Sequence, residues 1–356
     1  MKFIHISDVH LGVAPDAGSD WSEKRKHSIW DTFAETVAEA GRRQVDFLLI
    51  SGDLFHRQPL KRELREVNYL FGKIPNVKVL LMAGNHDYMQ PKSYYRGFEW
   101  AENVSFFEKE EVTAFDFPEE NVTVYGMSYW HRELPERLYD QIRIADHSRI
   151  IILLAHGKDE RHIPFSSKEL VGRGFDYVAA GHIHKGGQLV EKKAVMAGAL
   201  EPTDCNDTGA HGYWMGEIQK NGRNVETELY FCPIKKCEYR HETVAVSSAT
   251  TQYELENEIR KLVASGENYM LYRIFLEGYV DPDYAYDMER LTAIPQIVDV
   301  TEHLKPDYDF DKILSEQPDS LLGRYIARMQ KLPQNRTSKK ALEYGVNALL
   351  GHRICK

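Results

Sequence analysis

Ile4-His5-Ile6-Ser7-Asp8-Val9-His10-Leu11-Gly12 opens the chain with an apolar strand that runs out into an Asp-x-His pair. The construction returns four times in the first half of the sequence. Gly52-Asp53 follows the apolar run 47–50, and Gly84-Asn85-His86-Asp87 follows 77–82. Ala155-His156-Gly157 closes 150–155, and Gly181-His182-Ile183-His184 follows 177–180. Several of these runs are continuously hydrophobic, as strands buried on both faces require. Between the first two, residues 22–43 carry Ile29, Phe33, Val37 and Ala40 at helical spacing, and a second helix is expected over 61–73. Strands alternating with helices predict a layered α/β core. In such a core, side chains just past the carboxyl ends of neighbouring strands converge, however far apart they stand in sequence.

The residue types at these ends are metal ligands. Asp8 and His10 are two apart, so an extended backbone turns both side chains the same way. Asp53 has two oxygens with which to bridge a pair of cations, and Asn85 offers an uncharged amide oxygen. His156, His182 and His184 add imidazoles, the last two again on one side of an extended segment. Mixed nitrogen and oxygen donors without a thiolate suit Mn²⁺, Fe²⁺ or Zn²⁺ better than Ca²⁺. Two such ions, about 3.5–4 Å apart, would lower the pKa of a water towards ~7, and the resulting hydroxide would attack phosphorus in line. His86, with Asp87 orienting its ring, is placed to contact the phosphate or protonate the leaving oxygen. Twelve of the fifteen histidines precede Gly212, which concentrates the chemistry in the first part of the chain.

Composition bounds the remaining classes. With 356 residues, 42% hydrophobic and 28% charged, the chain is an ordinary globular sequence of about two domains. A net charge of −9 provides no global field for nucleic acid, although a local basic groove is compatible with it. Four cysteines, Cys205, Cys232, Cys237 and Cys355, point to a reducing compartment. Cys232, Cys237 and His241 lack a fourth ligand and the spacing of a zinc site. The N-terminus begins with a strand and not with a signal sequence, and no apolar run reaches membrane-spanning length. A cytoplasmic protein with no membrane association is expected.

Past residue 187 the helices stop. Segments 188–191, 194–196, 213–218 and 225–231 read as successive antiparallel strands, with Asn221-Gly222 as a turn, completing the second half of the core. A small α/β module follows, with helix 253–264, strand 269–276, helix 285–292 and strand 296–300. Two helices, 320–331 and 338–350, close the sequence across Pro333.

Taken together, the five motifs resemble the signature of calcineurin-like metallophosphoesterases over residues 1–232. That resemblance implies a four-layer α-β-β-α sandwich. It also implies Asp8, His10, Asp53 and His184 on one metal, and Asp53, Asn85, His156 and His182 on the other. Ile4–Gly12 and Gly52-Asp53-Leu54-Phe55-His56 are similar to SbcD-type nucleases, in which a His three residues after the bridging Asp positions DNA; His56 matches it. Chemistry alone equally allows His56 a purely hydrogen-bonding part. Gly198-Ala199-Leu200-Glu201 resembles the family's Gly-Ser-Leu-Glu-Arg, with Pro202 where Arg is usual. By the same resemblance, 233–318 is a small α/β capping domain, and the helices of 319–356 either bind an SbcC-type ATPase or pack on the rest. A homodimer is implied in the same way.

Arg57, Lys61, Arg62, Lys92, Arg96 and Lys185 lie near the motifs and are candidates for holding phosphates, with Tyr94, Tyr95 and Trp100 for stacking on bases. The expected protein is a manganese-dependent DNA exonuclease and endonuclease acting in end processing and repair. Its rivals are a phosphodiesterase or phosphatase for a small nucleotide or phosphoprotein, and a metal-binding scaffold without turnover. The full ligand set argues against the scaffold.

Overall fold

The computed structural model describes residues 1–19, 21–333 and 335–351, so Cys355 lies outside the described residues. The chain divides into two compact units, Met1–Arg240 with Tyr269–Leu271, and His241–Asn268 with the residues from Tyr272 on. In the first unit the chain runs β1 (Lys2–Ile6), α1 (Ser22–Arg42), β2 (Phe47–Ser51), α2 (Lys61–Gly72), β3 (Lys78–Met82) and β4 (Val104–Phe107). It continues through β5 (Thr113–Phe117), β6 (Val122–Gly126), β7 (Ile150–His156), α3 (Ser167–Gly172), β8 (Tyr177–Gly181), β9 (Gly187–Val190) and β10 (Ala194–Met196). The hairpin β11 (Gly212–Asn221) and β12 (Asn224–Pro233) completes it.

These strands form two six-stranded sheets, in the orders β12-β11-β1-β2-β3-β4 and β5-β6-β7-β8-β10-β9. Alternation along each strand explains the layering. Phe3, Phe47, Leu49, Leu80 and Met82 of the first sheet pack against Val122, Val124, Ile152, Leu154 and Tyr177 of the second, all fully buried. The residues between them, Ile4, Ile6, Leu48 and Ile50, face outwards onto Ile29, Phe33 and Val37 of α1 and Leu64, Val67 and Phe71 of α2. On the other side, Ile151, Leu153 and Val178 meet Leu170 of α3 and Phe165. Both faces of the central strands are therefore apolar, and the fold is the expected α-β-β-α sandwich.

The second-half strands are arranged differently from the sequence reading. β10 runs parallel to β8, and the β11–β12 hairpin returns to the first sheet, with β11 antiparallel to β1. Phe3 lies opposite Gly216 in that pairing, and its ring occupies the space a Cβ at 216 would need. The pairing and this close fit join residues more than 200 apart, which periodicity does not reveal. Strands β4 and β5 and helix α3, short and weakly patterned, also escaped the sequence.

The second unit contains a sheet of order β13-β14-β15, from β13 (Glu238–Val246), β14 (Met270–Val280) and β15 (Ile297–Pro306), whose first strand begins at the end of the first unit. Helix α4 (Gln252–Ala264) opens with a Thr251/Glu254 capping box. Helix α5 (Met288–Thr292) is shorter than expected because the Asp287 side chain caps the Arg290 amide and starts it there. Helices α6 (Phe310–Glu316), α7 (Leu321–Gln330) and α8 (Arg336–Leu350) share a small apolar cluster of Tyr308, Ile326, Leu342 and Val346. No helix among the described residues is long and apolar enough to cross a membrane.

Candidate metal centre

Strands β1, β2 and β3 are mutually parallel, as are β7 and β8, so their carboxyl ends open on one edge of the sandwich. The loops there are tied together before any ligand is considered. The amides of Asp8, His10 and Leu11 donate to the carbonyls of Gly52 (3.1 Å), Asp53 (3.1 Å) and Leu54 (2.9 Å). Asp8, His10 and Asp53 all adopt left-handed backbone (φ 49°, 52° and 49°), and His182 has φ 100°. The expected extended geometry at Asp8–His10 and His182–His184 is therefore corrected. Non-glycine residues hold such conformations at a cost that the surrounding ladder must offset.

All seven predicted ligands meet in this place. His10 Nε2 lies 3.0 Å from His184 Nε2, 3.9 Å from Asp53 Oδ2 and 4.0 Å from Asp8 Oδ1. On the other side of Asp53, His156 Nε2 is 3.4 Å from the same Oδ2. Asn85 Oδ1 sits 2.9 Å from His156 Nε2 and 3.0 Å from His182 Nδ1. Two donor groups, Asp8/His10/His184 and Asp53/His156/His182, thus lie side by side, with His10 and His156 both near Asp53 Oδ2.

The residues fit a pair of cations because acceptors face acceptors. His156 Nδ1 is 2.8 Å from the Ser51 carbonyl, which accepts from Nδ1–H in the neutral ring and leaves a lone pair on Nε2 aimed at Asn85 Oδ1. His182 Nε2, 2.8 Å from Asp159, likewise leaves Nδ1 a lone pair towards the same oxygen. His184 Nδ1 is 2.8 Å from Asp207, so its Nε2 lone pair meets His10 Nε2. His10 Nδ1 is buried without a hydrogen-bond partner among the described residues. In the neutral rings such oppositions require positive charge between them, from a bound cation or, in its absence, from a second proton on an imidazole.

The ion-free site draws protons for the same reason. Burial works to raise the Asp53 carboxyl, but the charges of His156 and His10 hold it well below the usual carboxylate range. Burial opposes a charge on His156, yet Asp53 and Asp8 raise it to about 9. His184 is also raised to about 9, burial being outweighed by its hydrogen bond to Asp207 and the charge of Asp8. His10 and His182 are lowered, chiefly by burial.

His56 and His86 stand at the rim beside His10. Ring centroids are 5.4 Å apart for His10–His56, 4.8 Å for His10–His86 and 5.2 Å for His56–His86. His86 is anchored by its amide, 2.9 Å from Asp53 Oδ1, and by Nδ1, 3.2 Å from the His56 carbonyl. Asp87 does not orient that ring, contrary to expectation. Its Oδ1 accepts from the Gly84 amide (2.8 Å), and its Oδ2 from the Phe55 amide (3.1 Å) and the Tyr95 hydroxyl (2.8 Å). Burial and the nearby Asp53 charge raise the Asp87 carboxyl to about 7.

The expected stacking residues separate sharply. Tyr95 is fully buried on Asp87 and is not presented to a base, whereas Trp100 is half-buried against Phe71, Phe98 and Phe106. Tyr94 is exposed, with Lys61 Nζ 5.8 Å above its ring. Arg62, Lys92 and Lys185 are also exposed. Arg57 is engaged with Glu63, and Arg96 lies over Trp130. Next to Pro202, buried Glu201 receives Arg25, Thr32 and Ser28 of α1, and Arg25 Nη2 donates to the Pro202 carbonyl at 2.8 Å. Asp159 and Asp207 were not anticipated. Asp159 carried a faint signal, three residues after His156 and three before His162; Asp207 carried none.

Residues 1–186 match the profile of the family described as calcineurin-like phosphoesterase. The chain is 30% identical over 246 residues to the uncharacterized metallophosphoesterase YhaO of Bacillus subtilis (strain 168), covering 64% of this chain and 59% of that protein. It is 27% identical over 308 residues to the DNA double-strand break repair protein Mre11 of Sulfurisphaera tokodaii, covering 78% of this chain and 73% of that protein. The match to the Bacillus protein thus spans less than two thirds of that relative's length.

Proposed function

Because the chain belongs to the calcineurin-like phosphoesterase family, hydrolases with a dinuclear divalent-metal centre, we propose that it is a manganese-dependent DNA nuclease of SbcD type. The seven ligands are assigned to the two ions as the resemblance implies, with Asp53 shared. Bound there, divalent ions supply Lewis-acid stabilisation of phosphoryl charge and lower the pKa of water towards ~7. The chain's own contribution is orientation. The His56 carbonyl and the Asp53 carboxylate fix His86 at both ends, leaving Nε2 as the nitrogen for a phosphate or leaving oxygen.

The observation that carries the DNA reading is the paired imidazole rim. A terminal phosphate needs one imidazole beside the ions. A second, His56, exposed and 5.2 Å from His86, suits a substrate whose backbone continues past the scissile bond. Likeness to a double-strand break repair protein supports it, over more of the chain than the first unit contains. On this reading, 233–318 serves as a capping domain and the helices of 319–356 dock an SbcC-type ATPase, with a homodimer as the working form.

The test is hydrolysis of end-labelled duplex and single-stranded DNA with added Mn²⁺, alongside an aryl phosphodiester, for wild type and His86→Ala. Cleavage of DNA by wild type, lost in His86→Ala while both ions are retained, is expected. Turnover of the aryl phosphodiester with intact DNA would refute the nuclease reading and favour a small-nucleotide phosphodiesterase.

A further inference from the structure

His182 and His184 are two residues apart, yet they turn different nitrogens inwards, Nδ1 from His182 and Nε2 from His184. A neutral imidazole carries one N–H, so which nitrogen offers a lone pair is decided by what the other nitrogen touches. For His182 that partner is Asp159 Oδ2, 2.8 Å from Nε2. For His184 it is Asp207 Oδ2, 2.8 Å from Nδ1.

Both carboxylates are held in place for this. Asp207 Oδ2 accepts from the Thr203 amide (2.9 Å) and hydroxyl (2.6 Å). Asp159 Oδ1 accepts from the amides of Arg161 and His162 (2.8 and 2.9 Å), and its carboxylate also meets His162 Nδ1 at 2.8 Å. Each lies beyond the donor set, on the far side of the imidazole it holds.

We propose that Asp159 and Asp207 are positioning residues that impose opposite tautomers on His182 and His184, each governing the affinity of one of the two ions. The inference rests on the metal reading above. A carboxylate behind a ligating imidazole fixes the ring, selects the tautomer and makes the inward nitrogen more basic, and its loss typically weakens metal binding by about 10–100-fold. The two devices differ in setting. Asp207 is largely enclosed and braced by one threonine, whereas Asp159 is about half exposed (48%) and shares its charge with His162. Asp159 therefore controls the ion on the Asn85 side from a solvent-facing loop, and Asp207 controls the His10 side from within.

The experiment titrates the full chain with Mn²⁺ alone by calorimetry, for wild type, Asp159→Ala, Asp159→Asn and Asp207→Asn, and reads the His182 tautomer in the metal-free proteins by ¹⁵N NMR. Wild type should take two ions. Asp159→Ala should weaken one of them by about 10–100-fold and leave the other unchanged. Asp159→Asn, which keeps an acceptor oxygen but no charge, should fall between. Asp207→Asn should weaken the other ion. The Nε2–H signature of His182 should be lost in Asp159→Ala, with the melting temperature unchanged, a combination that a merely structural role would not produce. Wild-type affinities in all variants, with the His182 tautomer unaltered in Asp159→Ala, would overturn the inference while leaving the metal centre standing. Failure of wild type to bind Mn²⁺ would overturn the metal reading itself, and this inference with it.

Discussion

Gly84→Ala tests whether the centre depends on one tight approach. A Cβ at residue 84 would lie 2.6 Å from the Asp53 amide nitrogen and 2.8 Å from Asp53 Cγ, with Oδ1 nearer still. Carbon contacts are comfortable at about 3.5–4.0 Å, so Asp53 must retreat by roughly 1 Å. It has little freedom to do so. Its carbonyl accepts from the His10 amide at 3.1 Å, and its Oδ1 from the His86 amide at 2.9 Å. Overpacking of this kind costs about 1–3 kcal/mol, measurable by urea denaturation of the metal-free protein. The functional loss should be larger, because a displacement of ~1 Å in a reacting site costs on the order of 10²-fold in turnover. Gly72→Ala is the control, at the end of α2 with nothing within 4 Å of an added Cβ. Its stability should hold or rise by up to about 1 kcal/mol. If Gly84→Ala matched Gly72→Ala in both stability and phosphodiester turnover, the idea that Gly84 sets the position of Asp53 would be wrong.

Other consequences are equally direct. His5 lies between the sheets, its Nδ1 3.1 Å from the Tyr177 hydroxyl and its Nε2 2.9 Å from Ser51, and burial lowers its pKa to about 3. The unfolded chain takes up this proton near pH 6.5 and the folded protein does not, so its contribution is whole above pH 6.5 and lost as pH falls towards 3. The slope is up to ~1.4 kcal/mol per pH unit, and His5→Leu should flatten it; parallel stability curves between pH 6.5 and 4 would contradict this. Arg25→Ala leaves Glu201 buried with only hydroxyl partners and should cost about 3–5 kcal/mol in urea denaturation; a loss below ~1 kcal/mol would show the pair to be dispensable. Tyr94→Ala should weaken single-stranded DNA binding by about 1–3 kcal/mol while Trp100→Phe does not, and the reverse ranking would refute the assignment of the exposed ring.

The sequence alone determined the strands that matter and the donors at their ends. The runs that became β2, β7 and β8 are apolar at nearly every position, and every residue in them is buried, so local hydrophobicity sufficed to place them. Ile29, Phe33, Val37 and Ala40 likewise form the buried stripe of α1. Where neighbours at i+2 or i+4 share an environment, a pattern is written into the chain and is legible without coordinates. Tertiary structure decided whatever rested on distant partners. The hairpin lies in the first sheet with the Phe3 ring filling the gap above Gly216, a fit with no local trace. Asp8, His10 and Asp53 took left-handed backbone because two loops some 40 residues apart bond to each other. Tyr95 turned inwards, Trp100 was half covered by its aromatic neighbours, Asp87 was occupied by the loop it holds, and Asp159 and Asp207 came to rest behind two imidazoles. Chemical identity travels with the residue, whereas register, burial and tautomer are properties of its surroundings, which exist only once the chain has closed on itself.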